Sequence, residues 1–190
     1  MRVLSRRRVL AFGLGGAALL GLGGGLSWLT MGYRVGPDDV PVALSTKEMA
    51  VVRALVDCLF PAEGAFPSGV ALGVHQRIDE EVWSSPAPVQ SDLKAAIQLL
   101  EHLPPAYGYP GRLSSLPSEQ RLACFLDLLA AGPQTVARAA QALKQLSHLF
   151  YYAADEAWGA IGYDGPWVST ARPPPSSQAY SAAVAARRST

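Results

Sequence analysis

The chain has 190 residues, about half of them apolar, with two cysteines and a formal net charge of +1. This is enough apolar material to bury a core, and it excludes a disordered polymer. Four of the sixteen basic residues lie in the first eight positions, so the other twelve are set against fifteen acidic residues. The rest of the chain is mildly acidic and has no cluster of Lys and Arg, so it lacks the basic surface by which a nucleic-acid-binding domain contacts phosphates.

The first segment, residues 1–33, combines a basic tip with a long apolar run, which is typical of a targeting segment. The 25 residues from Val9 to Tyr33 carry no charge and are long enough to cross a bilayer as a helix. Glycine occupies eight of them, and low hydrophobicity of this kind is typical of twin-arginine (Tat) signals. The residues that match the Tat motif are Ser5, Arg6, Arg7, Val9 and Leu10. No clear cleavage site follows, so removal of the segment and its retention as a membrane anchor both stay open.

An alternative interpretation of this segment is a dinucleotide-binding turn, because Gly13-x-Gly15-x-x-Ala18 fits that pattern. Such a turn needs a buried strand before it and an acidic residue about 20 residues after it. Here arginines precede the glycines, and the first acidic residue downstream is Asp38. We therefore favour Tat export, which predicts a periplasmic location, either free or tethered to the inner membrane.

The body of the chain reads as helices after a linker at 34–44. A capping-box sequence begins at Ser45 and predicts a helix over about 46–60. Apolar stripes bounded by Pro and Gly predict further helices within 68–85, over 91–103, over 117–132, over 133–152 and over 155–161. No strand pattern is visible. The sequence predicts an all-α fold, a small irregular bundle of five to six helices over 45–168, followed by a disordered Pro/Ala-rich tail at 169–190.

Residues that could carry chemistry are few. His75, His102 and His148 lie on different predicted helices, and only His75 has an acidic residue, Asp79, one turn away. Such a pair is more often a surface contact than a metal site. The run Asp79-Glu80-Glu81 diverges around its helix, which indicates a solvated face. For His148 we expect a packed ring with one hydrogen bond to the backbone. No catalytic residue, metal site or cofactor site is predicted in this chain.

The two cysteines, Cys58 and Cys124, both fall on apolar helical stretches. They are either two small buried side chains or partners in a disulfide formed in an oxidising periplasm. A disulfide needs Cα atoms within about 7 Å, which sequence spacing cannot decide.

The densest motif is YYAADEAWGAIGYDGPW, from Tyr151 to Trp167. Gly162 is suited to the left-handed residue that ends a helix, and the following Asp-Gly-Pro favours a tight turn. One interpretation is an apolar lid over the bundle. The other is a contact surface for a partner, because Tyr and Trp are favoured at the centres of interfaces. The residues of that candidate contact are Tyr163, Gly165, Pro166 and Trp167.

These motifs together resemble the gluconate 2-dehydrogenase subunit 3 family. The resemblance covers about Val42 to Trp167 and depends on LSTKEMAVVRALVDCLFPAEGAFPSGV, on LPSEQRLACFLDLL and above all on the final motif. It implies a chaperone-like, non-catalytic small subunit, supplying a Tat signal, that escorts and matures a FAD-dependent (GMC-type) dehydrogenase of sugars or alcohols. FAD would then belong to the large subunit, and haem c to a third, multihaem cytochrome c subunit. The Tat translocon and the membrane are the other expected partners.

Two hypotheses from other classes compete with this one. A stand-alone, membrane-tethered periplasmic binding protein would need an enclosed apolar cavity in the bundle. An enzyme in its own right would need convergent polar groups, and the sequence shows no such set.

Overall fold

The computed structural model describes residues 32–33, 35–166 and 175–189. The chain divides into two units, Met1–Tyr33 and Arg34–Thr190, and nearly all described residues belong to the second. The predicted Tat residues, from Ser5 to Leu10, therefore lie outside the described residues, as does Trp167. Among the residues that are described, no helix combines the length and apolar character needed to cross a membrane.

The prediction of an all-α fold is confirmed: the described ranges contain seven α-helices and no strand. The helices are α1 Thr46–Leu59, α2 Val74–Ser84, α3 Ala87–His102, α4 Ser118–Ala131, α5 Gln134–Tyr152, α6 Asp155–Ile161 and α7 Pro175–Arg188. Two short 3-10 turns, Pro104–Tyr107 and Leu113–Ser115, lie in the loop between α3 and α4.

Helices α1 and α5 organise the bundle. Helix α5 packs against α2, α3, α4 and α6, and α1 packs against α2, α3 and α4. Full burial of each large apolar side chain contributes about 1.5–3 kcal/mol, so the apolar core between these helices supplies most of the stability. The largest buried apolar side chains are Met49, Leu55, Ile78, Ile97, Leu100, Leu113, Phe125, Leu128 and Leu143.

The start of α1 follows the capping-box prediction. The Ser45 hydroxyl accepts the Glu48 N–H at 3.2 Å, and the Glu48 carboxylate accepts the Ser45 N–H at 2.8 Å. Two otherwise unpaired donors of the first turn are satisfied in this way, which fixes where the helix begins.

Two helix predictions need correction. Helix α3 begins at Ala87, four residues before the predicted start at 91, because Pro88 lies in its first turn. A missing N–H costs nothing there, so the proline starts the helix instead of preceding it. On α4 the apolar stripe in the sequence, formed by Leu122, Phe125, Leu126 and Leu129, predicts that Leu126 faces inward. This side chain is instead 50% exposed, and Leu128 is buried.

The C-terminal segment is the largest correction. We predicted a disordered tail over 169–190, but residues Pro175–Arg188 form α7, which packs against α2. Its anchor is Tyr180, which is buried and contacts the Trp83 ring edge-to-face at a centroid distance of 5.9 Å. Tyr180 thus attaches an Ala-rich helix to the bundle, and the sequence pattern gave no sign of this contact.

Candidate functional site

Four large apolar side chains stand exposed at one end of the bundle, where α5 passes into α6. They form the apolar surface: Leu149, Tyr152, Ile161 and Tyr163. Leu149 is the most exposed of them, at 60%. The C-terminal end of α5 carries the first two, and α6 and the turn after it carry the others. A contiguous exposed apolar patch is a candidate contact site for another macromolecule.

A layer of aromatic rings supports this surface from below. The Phe60 ring stacks on Tyr151 with centroids 4.3 Å apart, and the edge of His148 meets Phe60 at 4.9 Å. Tyr151 in turn contacts Tyr152 edge-to-face at 5.2 Å. Offset and edge-to-face pairs each add about 0.5–1.5 kcal/mol beyond area burial. The exposed Tyr152 is therefore held by a rigid base.

The turn after α6 presents Tyr163 as the sequence predicted. Gly162 ends the helix with φ 69°, and the Tyr163 N–H then donates to the Trp158 carbonyl at 3.0 Å. The rings of Trp158 and Tyr163 meet edge-to-face at 5.2 Å, and the Trp158 indole N–H donates to the Tyr152 carbonyl at 2.9 Å. Trp158 thus joins α6 to the end of α5.

Gly165 is required at its position for two reasons. Its φ of 103° is a conformation that side chains rarely adopt, and a Cβ there would lie 3.1 Å from Trp158 Cζ3. The chain therefore passes close to the benzene ring of the indole. Pro166, the next member of the predicted contact, is exposed.

An open, shallow groove of about 580 Å³ lies along one face of α5, and its described lining residues, between Gln141 and Ala153, include Leu149 and Tyr152 of the apolar surface. It is open to solvent, and its lining includes Lys144 and His148. The prediction for His148 is confirmed, because its Nδ1 donates to the Lys144 carbonyl at 2.8 Å while the ring packs on Phe60. The His148 ring is therefore part of the packing, and the surface of the groove above it is largely apolar.

The other histidines make polar contacts of different kinds. His75 does not pair with Asp79: its Nε2 lies 2.7 Å from the Asp39 carboxylate, which also forms an ion pair with Arg53 at 3.2 Å. The Nε2 atom of His102 lies 2.8 Å from the Lys47 ammonium. Burial, followed by the charge of Lys47, lowers the pKa of His102.

The prediction that Asp79 lies on a solvated face is wrong. Its side chain is completely buried and accepts the backbone N–H groups of Val42, Ala43 and Leu44 at 2.6–3.1 Å. A buried carboxylate is tolerated when several donors replace its hydration. Within the ranges that the structure describes, no three His, Cys, Asp or Glu side chains are grouped as metal ligands would be.

The two cysteines are buried free thiols in the structure. Cys58 donates to the Leu55 carbonyl at 3.2 Å. Burial raises the pKa of Cys58 to about 11 and that of Cys124 to about 12. Thiols held protonated in this way are poor nucleophiles.

A comparison with protein families matches residues 46–165 to the model described as gluconate 2-dehydrogenase subunit 3. The chain belongs to the gluconate 2-dehydrogenase subunit 3 family. This subunit 3 protein is accordingly an accessory subunit of a dehydrogenase. No curated protein and no solved structure shows a significant match to it.

The matched range has a clear relation to the architecture of the subunit 3 protein. It begins with α1, contains the aromatic layer and the whole apolar surface, and ends at Gly165. The residues before α1 and the helix α7 both lie outside it. The family domain is therefore the six-helix bundle α1–α6, and the two terminal pieces are additions to it.

Proposed function

We propose that this subunit is the non-catalytic partner of a FAD-dependent (GMC-type) dehydrogenase of sugars or alcohols, which it stabilises, matures and escorts through the Tat system to the periplasm. Its apolar surface binds the flavoprotein. FAD belongs to that large subunit, and electrons leave it through a cytochrome c subunit. The observation that carries the proposal is the apolar surface, which is ordered, exposed and contained in the family domain.

The geometry of the surface supports binding. The side chains of Tyr152 and Tyr163 are exposed but pack against Tyr151 and Trp158, so little of their side-chain entropy remains to be lost when a partner covers them. Rigid aromatic anchors surrounded by polar residues are the usual composition of an interface centre. Lys144 and Gln145 border the groove and supply the polar rim.

The competing hypothesis of a stand-alone binding protein receives no such support. It requires an enclosed apolar cavity, whereas the groove on α5 is open to solvent, and the lining residues that the structure describes belong to one helix and the residue after it. A small ligand there would keep much of its surface in water. A protein surface of matching shape would fill the groove along its length.

Co-expression with a FAD-dependent (GMC-type) dehydrogenase large subunit from the same source tests the proposal. We expect the flavoprotein to reach the periplasm in active form only when the subunit is present. Replacing Arg6 and Arg7 together by lysine should leave both proteins in the cytoplasm, because the Tat motif depends on the arginine pair. A matched replacement of Arg2 and Arg8 by lysine should leave export intact. Export of active flavoprotein without the subunit, or with the Arg6/Arg7 variant, would refute the escort role.

A further inference from the structure

The two pieces that lie outside the family domain meet each other on helix α2. One is the N-terminal arm, residues 35–44, and the other is α7. The Arg187 guanidinium donates to the Pro41 carbonyl, and that of Arg188 donates to the Asp38 carbonyl at 3.1 Å. The arm is thus held by residues up to 150 positions further along the chain.

Both pieces share one anchor in the family domain, the Asp79 carboxylate. One of its oxygens accepts the N–H groups of Ala43 and Leu44, and the other accepts the Val42 N–H at 2.7 Å. The second oxygen also accepts the Tyr180 hydroxyl of α7 at 2.6 Å. Among the described residues no Lys or Arg forms an ion pair with Asp79, so neutral donors alone compensate this buried charge.

Helix α7 has one face suited to this contact. Ser177, Tyr180 and Val184 follow each other at helical spacing, and the Ser177 hydroxyl donates to the Glu80 carboxylate. Tyr180 closes the Asp79 pocket, since its ring lies against Trp83 and it is almost fully buried. Without Tyr180, water would reach the carboxylate and compete with the three arm amides.

We propose that α7 is a strap that holds the end of the N-terminal arm on α2, with Asp79 as the shared anchor, so that residues 42–44 stay ordered only while α7 is docked. The earlier part of the arm has its own attachment, because Asp39 contacts His75 and Arg53. Order at residues 42–44 therefore depends on a part of the chain that is synthesised much later. The proposed function requires the protein to fold before it is exported. On that basis, order at residues 42–44 shows that the chain has folded as far as α7.

Hydrogen exchange of the purified full chain tests the strap without any partner or translocon. Two variants perturb it: Tyr180→Phe weakens it by deleting the hydrogen bond to Asp79, and deletion of residues 175–190 removes the helix. Tyr107→Phe, on a 3-10 turn outside this contact, is the matched control. We expect exchange at the amides of 42–44 to become at least ten times faster in both strap variants, with α5 amides and the control unchanged.

Two outcomes would overturn the proposal. In the first, the amides of 42–44 remain as protected without α7 as with it. In the second, α5 amides lose protection together with the arm, because α7 would then be part of the folding core and not a strap. Neither outcome bears on the dehydrogenase partner, which the experiment does not contain.

Discussion

Phe60 and Tyr151 stack with their ring centroids 4.3 Å apart and their planes only 9° from parallel. This pair joins the C-terminal end of α1 to the C-terminal end of α5, and the Tyr151 hydroxyl extends the link by donating to the Pro67 carbonyl at 2.9 Å. The apolar surface lies directly on this support. The same aromatic cluster therefore packs the bundle on one side and supports the proposed site of partner binding on the other.

The first prediction concerns the apolar surface itself. Leu149→Asp places a charge on the most exposed apolar side chain, so the cost of desolvating it at an interface should weaken binding of the FAD-dependent subunit at least tenfold, or about 1.4 kcal/mol. Leu126→Asp is the matched control, because Leu126 is 50% exposed but lies on α4. Titration of the flavoprotein by calorimetry measures both. Equal affinities for the two variants would place the interface elsewhere.

A second prediction distinguishes the aromatic rings beneath the apolar surface from the side chains exposed on it. Tyr151→Phe keeps the stack on Phe60 but removes the hydrogen bond to Pro67, which should lower the free energy of unfolding by about 1 kcal/mol. The neighbouring change Tyr152→Phe should leave it unchanged within about 0.5 kcal/mol, since Tyr152 is half exposed. Urea unfolding measures both values, and an equal loss in the two variants would contradict the proposed support.

The buried Arg121 provides a third prediction. Its guanidinium donates to the carbonyls of Ala54 and Leu116, both at 2.8 Å, and so joins α1 to the segment before α4. Arg121→Met removes these hydrogen bonds from a buried site and should cost about 2–4 kcal/mol of stability. The exposed Arg138→Met on α5 should cost less than about 0.5 kcal/mol. Thermal unfolding compares the two, and a small loss for Arg121→Met would show that water replaces the guanidinium.

A fourth prediction follows from Asp39. Burial alone would raise its pKa, but hydrogen bonds from His75 and from the Gly36 N–H outweigh this and lower the pKa below 3.8. A carboxyl with a depressed pKa in the folded state stabilises the protein above its unfolded pKa, and this contribution is lost as the pH falls through the folded value. Asp39→Asn should therefore flatten the decline of stability below pH 4. The exposed Asp38→Asn should decline as the wild type does, and identical profiles for all three would refute the assignment.

The thiols give a fifth prediction. The pKa values of Cys58 and Cys124 lie at about 11 and 12 in the folded chain, above their ordinary value of 9.0. Between pH 9 and 11 the unfolded chain loses thiol protons that the folded chain keeps, so stability should fall as the pH rises through this window. Both thiols should resist alkylation at pH 8 and react once the chain is unfolded. A mass lower by two hydrogens, with no free thiol after unfolding, would show the disulfide that the sequence left open.

Local signals allowed most of the bundle to be predicted. The capping box at Ser45 and the repeat of Val136, Ala140 and Leu143 identify α1 and α5 because cap chemistry and helical period are properties of adjacent residues. Pro88 misled the prediction for α3, since proline both ends helices and begins them. The choice between Leu126 and Leu128 on α4 depends on which neighbours the helix meets, and a single periodic stripe does not contain that information.

Some residues of the candidate site could be predicted from the sequence and others could not. Tyr163 and Gly165 could be predicted, because a glycine at a helix end and an Asp-Gly-Pro turn have fixed local conformations. Leu149 and Tyr152 could not, since their exposure follows from how α5 packs. Asp79 and Tyr180 were missed for a further reason: a carboxylate in an acidic run gives no sign of the distant donors that bury it.

The most direct test of the central claim is to purify this subunit alone and together with its FAD-dependent partner, and to record flavin absorbance and alcohol oxidation for each. We expect the two chains to elute as one complex that carries flavin and activity, and the subunit alone to be colourless and inactive. Flavin or turnover in the isolated subunit, or separate elution of the two chains, would contradict it.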